Sequence, residues 1–155
     1  MSPLLLVLMA LTDVAFLVYW AVSGLYAAGA VQVPPEWLFA SYHDARVVAW
    51  NWSFLPLDIA VSGLGLWSIA SARRGGAWRM IAAVSLALCS AAGLMAIGYW
   101  TLLGVFDPAW FLPNLTLFAW PLFFLPGLMR AHRISARKST RLNSSHLVIS
   151  SAVFC

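Results

Sequence analysis

Four stretches of this chain, about residues 4–28, 47–72, 78–105 and 108–129, are apolar nearly throughout and are separated by short polar connections. Each is longer than the roughly 20 residues an α-helix needs to cross the hydrocarbon core of a bilayer. Backbone amides in lipid have no water to bond, so such segments are helical, and short connections make successive helices antiparallel. The chain is therefore predicted to be all-α, a four-helix transmembrane bundle. Its composition agrees: 63% of the 155 residues are hydrophobic and 9% charged, far from the balance of a soluble domain.

The first run is interrupted only by Thr12, Asp13 and Ser23. It has no basic residue ahead of it and exceeds the usual 7 to 15 apolar residues of a signal peptide, so it reads as a span. Residues 29–46 form a connection with Pro34, Pro35, Glu36, His43, Asp44 and Arg46, in which Trp37, Leu38, Phe39 and Tyr42 suit the membrane surface. The second span stops at Arg73, Arg74, Gly75 and Gly76, and Asp107 followed by Pro108 opens the fourth as N-cap and first helical residue. Pro113, Pro121 and Pro126 should kink that last helix. Arg73, Arg74 and Arg79 flank the second connection and Arg130 and Arg133 follow the fourth span, whereas the other two connections hold only Arg46. Positive residues stay inside, which predicts cytoplasmic N- and C-termini.

The net charge of +4 would suggest an anionic partner, but Arg137, Lys138 and Arg141 supply three of those charges. They lie in a tail, 137–155, that closely resembles the in-frame translation of a sequencing-library adapter. The expectation is a membrane domain over 1–135 and an artefactual, disordered tail over 136–155. No nucleic-acid function is inferred from the charge. Cys89 and Cys155 are the only cysteines and define no disulfide framework or metal site.

Two acids stand inside spans. At about 1.5 Å per residue Asp13 and Asp58 each lie roughly 13 to 17 Å below their entry faces, near the midplane. A carboxylate at that depth costs roughly 2.5 to 3.5 kcal/mol on insertion scales, which makes such residues functional candidates. No Lys or Arg shares their depth. Antiparallel neighbours can bring the two acids into one pocket, where they would titrate as a coupled unit. Pro56 leaves the carbonyl of Trp52 without its usual donor, just ahead of Asp58. Trp50 and Trp52 flank Asn51 two turns above that acid, and Asn114 adds a second amide. The candidate ligand-binding set is thus Asp13, Asp58, Asn51, Trp50, Trp52 and Asn114. The bland alternative makes the acids hydrogen-bonded glue between helices and the tryptophans interfacial anchors.

Elsewhere the chemistry is sparse. Glu36, His43 and Asp44 are too isolated for a metal site, and the sequons at Asn51 and Asn114 fall at or within the membrane. No nucleophile accompanied by a base, phosphate loop, HExxH or CxxC is present, so neither an enzyme nor a cofactor is expected. Ser85, Cys89 and Gly93 recur every four residues, a small-residue stripe that admits close helix approach and is expected to serve a homo- or hetero-oligomer.

The segments Leu11-Thr-Asp-Val-Ala-Phe-Leu-Val-Tyr-Trp20, Tyr42-His-Asp44 and Val48-Ala-Trp-Asn-Trp-Ser-Phe-Leu-Pro-Leu-Asp58 resemble the YvaD-like family of small bacterial membrane proteins over residues 1–134. That family has no established function. The resemblance implies four spans in a bacterial cytoplasmic (inner) membrane and transfers no catalytic residues. Membrane sterol and amine binders of the emopamil-binding and sigma-2 type are similar in architecture alone. The expected function is binding, or transport, of a small hydrophobic or cationic molecule or lipid. The alternative is a non-catalytic subunit of a membrane complex.

Overall fold

The computed structural model describes residues 1–39 and 41–152, apart from the side chains of Glu36 and of residues from 131 onward. Helix α1 spans Pro3–Ala27. Pro3 stands where a helix can spare an N–H, and Ser2 Oγ accepts from the Leu5 amide at 3.3 Å. A single 3₁₀ turn, Pro35–Trp37, follows in the connection. There Leu38 is buried while Trp37 is exposed. The aromatic connection is thus partly tucked under the bundle and partly turned outward.

The span expected as one helix over 47–72 is two helices, α2 at Ala45–Ser53 and α3 at Leu55–Arg73. Asp44 caps α2 by accepting from the Arg46 amide at 2.8 Å. The break at Phe54 follows from Pro56, which brings no N–H for the Trp52 carbonyl and crowds the turn before it. The Phe54 amide turns to Asn51 O at 3.1 Å, and regular bonding resumes with Asp58 N to Phe54 O at 2.9 Å. Together α2 and α3 make one crossing, Ala45–Arg73. It ends in a tight turn in which Gly75 takes φ of 72° and Gly76 N bonds back to Ser71 O at 2.8 Å.

Helix α4 spans Trp78–Leu102 and α5 Pro108–Ala152. The third helix stops short of residue 105 because the chain turns at Gly104, with Val105 N bonded to Trp100 O. Asp107 Oδ1 caps α5 through the Ala109 amide. Three prolines lie inside α5, and its membrane-crossing stretch is Pro108–Arg130. The helical backbone continues past the expected end near Met129, since nothing between Arg130 and Ala152 is a proline or glycine. In the tail expected to be unstructured, 136–155, the backbone is helical as far as Ala152. The tail's side chains, and residues 153–155 altogether, lie outside the described residues.

Helix α1 packs on α3, α3 on α4 and α4 on α5, so the four crossings form an all-helical antiparallel bundle, with no strand among the described residues. Leu11, Val18, Met95, Leu102 and Phe123 point outward and are exposed. Lipid tails are as apolar as leucine, so these side chains need no burial and the helices are held by close packing and hydrogen bonds. Serines supply the bonds. Ser62 Oγ donates to Asp13 O on α1 at 3.1 Å, Ser85 Oγ to Val61 O on α3 at 2.9 Å and Ser90 Oγ to Phe118 O on α5 at 2.8 Å.

The small-residue stripe of α4 is consumed by this packing. Ser85 faces α3, and Cys89 directs its thiol to Leu117 O at 3.7 Å. Pro121 has no N–H to give that carbonyl. A Cβ on Gly93 would stand 2.6 Å from both Asn114 O and Phe118 N. Ser85, Cys89 and Gly93 thus bring α3 and α5 of the same chain against α4. Below them one half of the bundle is filled by Leu5, Met9, Ile69, Ala82, Leu86 and Leu128. The other half is not.

Candidate functional site

In that second half a cavity of about 230 Å³ lies among all four crossings. Helix α1 contributes Phe16, Tyr19 and Trp20, and the broken second crossing Trp50, Asn51, Phe54 and Asp58. Helix α4 adds only Ala92, Ala96 and Trp100, whose two alanines leave the room, and α5 adds Trp110, Pro113, Asn114 and Leu117. Half of the lining residues are aromatic.

Its polar groups are few and placed. Asp58 is 6% exposed, and its Oδ2 accepts from Trp20 Nε1 at 2.9 Å. Oδ1 of the same carboxyl is buried and has no hydrogen-bond partner in the protein. One turn above the helix break, Asn51 Oδ1 accepts from the Tyr19 hydroxyl at 3.0 Å, while its Nδ2 is likewise buried and unpartnered. Both atoms have almost no accessible surface and belong to residues of the cavity wall. Leaving either unpaired in a dry interior costs about 1–3 kcal/mol. Asn114 differs: its Nδ2 is spent on Trp110 O in its own helix at 2.7 Å.

The tryptophans hold this geometry. Trp50 stacks on Tyr99, rings 4.0 Å apart and 15° from parallel, and meets Trp100 edge-on. That arrangement ties α2 to α4. Trp52 does not line the cavity. It packs against Trp20 at 5.5 Å and faces a second cavity of about 240 Å³ beneath the first connection, next to Ser23, Leu38 and Tyr42.

Asp13 does not join Asp58. The α1–α3 pairing sets Trp20 against Asp58 and Asp13 against Gly65, seven residues further down both helices. That is about 10 Å along the axis. Asp13 is 2% exposed and seated over Gly65, with Oδ2 unpartnered. The shared pocket expected from depth alone is therefore corrected. Asp58, placed after the break in its crossing, sits nearer the mouth, and Asp13 near the middle. Among the described residues no three His, Cys, Asp or Glu side chains gather as a metal site.

The residues that the sequence reading passed over are Tyr19, Trp20 and Tyr99. Trp20 was discernible by spacing, since Asp13, Phe16, Trp20 and Ser23 follow one another at three and four residues and so share one helical face. Tyr99 carries no such signal, because its role depends on α2 arriving beside α4.

Fold and site together define a small multi-pass helical membrane protein with an aromatic, acid-bearing cavity in one half of its bundle. The chain belongs to the "Family of unknown function (DUF5360)", whose model matches residues 5–135. It is 39% identical over 123 residues to "Uncharacterized protein YvaD" of Bacillus subtilis (strain 168), a match covering 79% of this chain and 89% of that protein. No solved structure matches.

Proposed function

We propose that this protein binds a small, largely apolar molecule in the cavity between its crossings, as a non-catalytic component of a bacterial cytoplasmic membrane. The observation that carries this reading is Asp58: a buried carboxyl in the wall of an aromatic-lined cavity, with one oxygen held by Trp20 and the other unpaired. Small pockets rich in rings with a few polar groups are the usual form of ligand sites, although about 300–1,000 Å³ is typical for drug-sized molecules and this cavity suits a smaller one. The basic residues Arg73, Arg74, Arg79 and Arg130 all belong to the opposite end of the bundle from Asp44 and Asp107. By the positive-inside rule both termini are then cytoplasmic and the cavity lies in the outer half.

The test is native mass spectrometry of the full chain released from its own membranes. A bound species of discrete mass, lost in Asp58→Asn while the helical signal is retained, is the expected result. A bare chain in both cases, together with no thermal shift from any lipid extract, would overturn the reading.

A further inference from the structure

Independently of the cavity, we propose that the end of the bundle formed by the α3–α4 turn and the close of the α5 crossing is a docking surface for the phosphate headgroup of an anionic phospholipid. Arg73, Arg74, Arg79 and Arg130 are all exposed there. The helices that carry them meet in one core cluster: Arg73 lies four residues past Ile69, Arg79 three before Ala82 and Arg130 two past Leu128. Each thus stands only about 3 to 6 Å along its helix axis beyond that cluster. Gly75 and Gly76 make the turn between α3 and α4 and bring no side chain to cover the arginines.

No Asp or Glu neutralises this end. The chain has five acids. Glu36, Asp44 and Asp107 lie in the connections at the opposite end, and Asp58 is in the first turn of α3. Asp13 sits over Gly65, eight residues before Arg73 and so about 12 Å deeper along α3. The Arg79 guanidinium lies 4.9 Å from the centre of the Trp78 ring, which itself packs against the core cluster. A tryptophan at the end of a membrane helix marks the headgroup layer, so the guanidinium stands at the depth of the lipid phosphates. The anion present there is a phosphodiester, which a guanidinium can meet with two parallel N–H bonds. A soluble acidic protein would have to displace the headgroups to reach the same charge.

The full chain in a neutral detergent is titrated with phosphatidylglycerol or with phosphatidylcholine of identical acyl chains, and the lipid-bound share is read by native mass spectrometry. Phosphatidylglycerol should be retained at least about fivefold more strongly, the worth of a single arginine near an anionic headgroup. The triple variant Arg73→Gln, Arg74→Gln, Arg79→Gln should bring the two lipids close to parity. A second triple variant, Arg137→Gln, Lys138→Gln, Arg141→Gln, removes charge from the tail and should keep the preference. Equal retention of both lipids by the wild-type chain overturns the proposal, and that comparison stands whether or not a variant folds. A preference that survives the first variant, or that vanishes in the second, also overturns the assignment to this surface. Glycerol 3-phosphate, the same anion without acyl chains, should leave the bound share unchanged at equal concentration. Displacement by it would overturn a lipid as the occupant in favour of a free phosphate ester.

Discussion

At position 65 a side chain has no room, because the Asp13 carboxyl occupies the place a Cβ would take. Gly65→Ala should therefore destabilise by on the order of 1–3 kcal/mol through overpacking. Gly63→Ala, two residues earlier and open on every side, should be neutral or gain up to about 1 kcal/mol from helix propensity. Thermal unfolding in detergent distinguishes the two, and Asp13→Ala should make Gly65→Ala tolerable. The same register separates the acids. With Asp13 and Asp58 about two helical turns apart, the stability effects of Asp13→Asn and Asp58→Asn should add to within about 0.5 kcal/mol. A coupling above about 1 kcal/mol would place both carboxyls in one site.

One element positions the cavity's polar groups more than any other. The break at Phe54 separates α2, which brings Trp50 and Asn51, from α3, which brings Asp58, and all three residues line the same space. Pro56→Ala would return an N–H to the Trp52 carbonyl and favour a continuous helix. Insertion should survive and melting stay level or rise, while the share of chain that carries a bound species in native mass spectrometry falls. An unchanged bound share would show that the break is held by packing and not by the proline. A proline inside a hydrophobic run was a visible warning of this. What the run does not carry is the partner that α2 meets, because that depends on the stacking of Trp50 against Tyr99 on another helix.

For the whole molecule, the proposed topology makes Gly76→Cys inaccessible and Glu36→Cys accessible to a membrane-impermeant thiol reagent in intact cells, with Cys155 replaced by serine and Cys89 shielded by burial. The reverse pattern would invert the bundle. The family match ends at residue 135 and the last crossing at Arg130, so a chain ended after Ser135 should insert and melt as the full chain does. A marked loss of folded protein would show that the tail contributes. Read by itself, the sequence determined the class, the four crossings and their alternation. Apolar runs of bilayer length admit only helices, and short connections admit only antiparallel neighbours. It also singled out Asp58, Asn51 and Trp50, since polar groups in such runs are costly enough to stand out. Only the tertiary structure decided that Asp13 lies apart from them and that Tyr19 and Trp20 hold the site. It also turned the stripe on α4 inward. Depth along a helix is written in the sequence, but rotation about its axis and register against a neighbour are set by the closest packing of side chains that are distant in the chain.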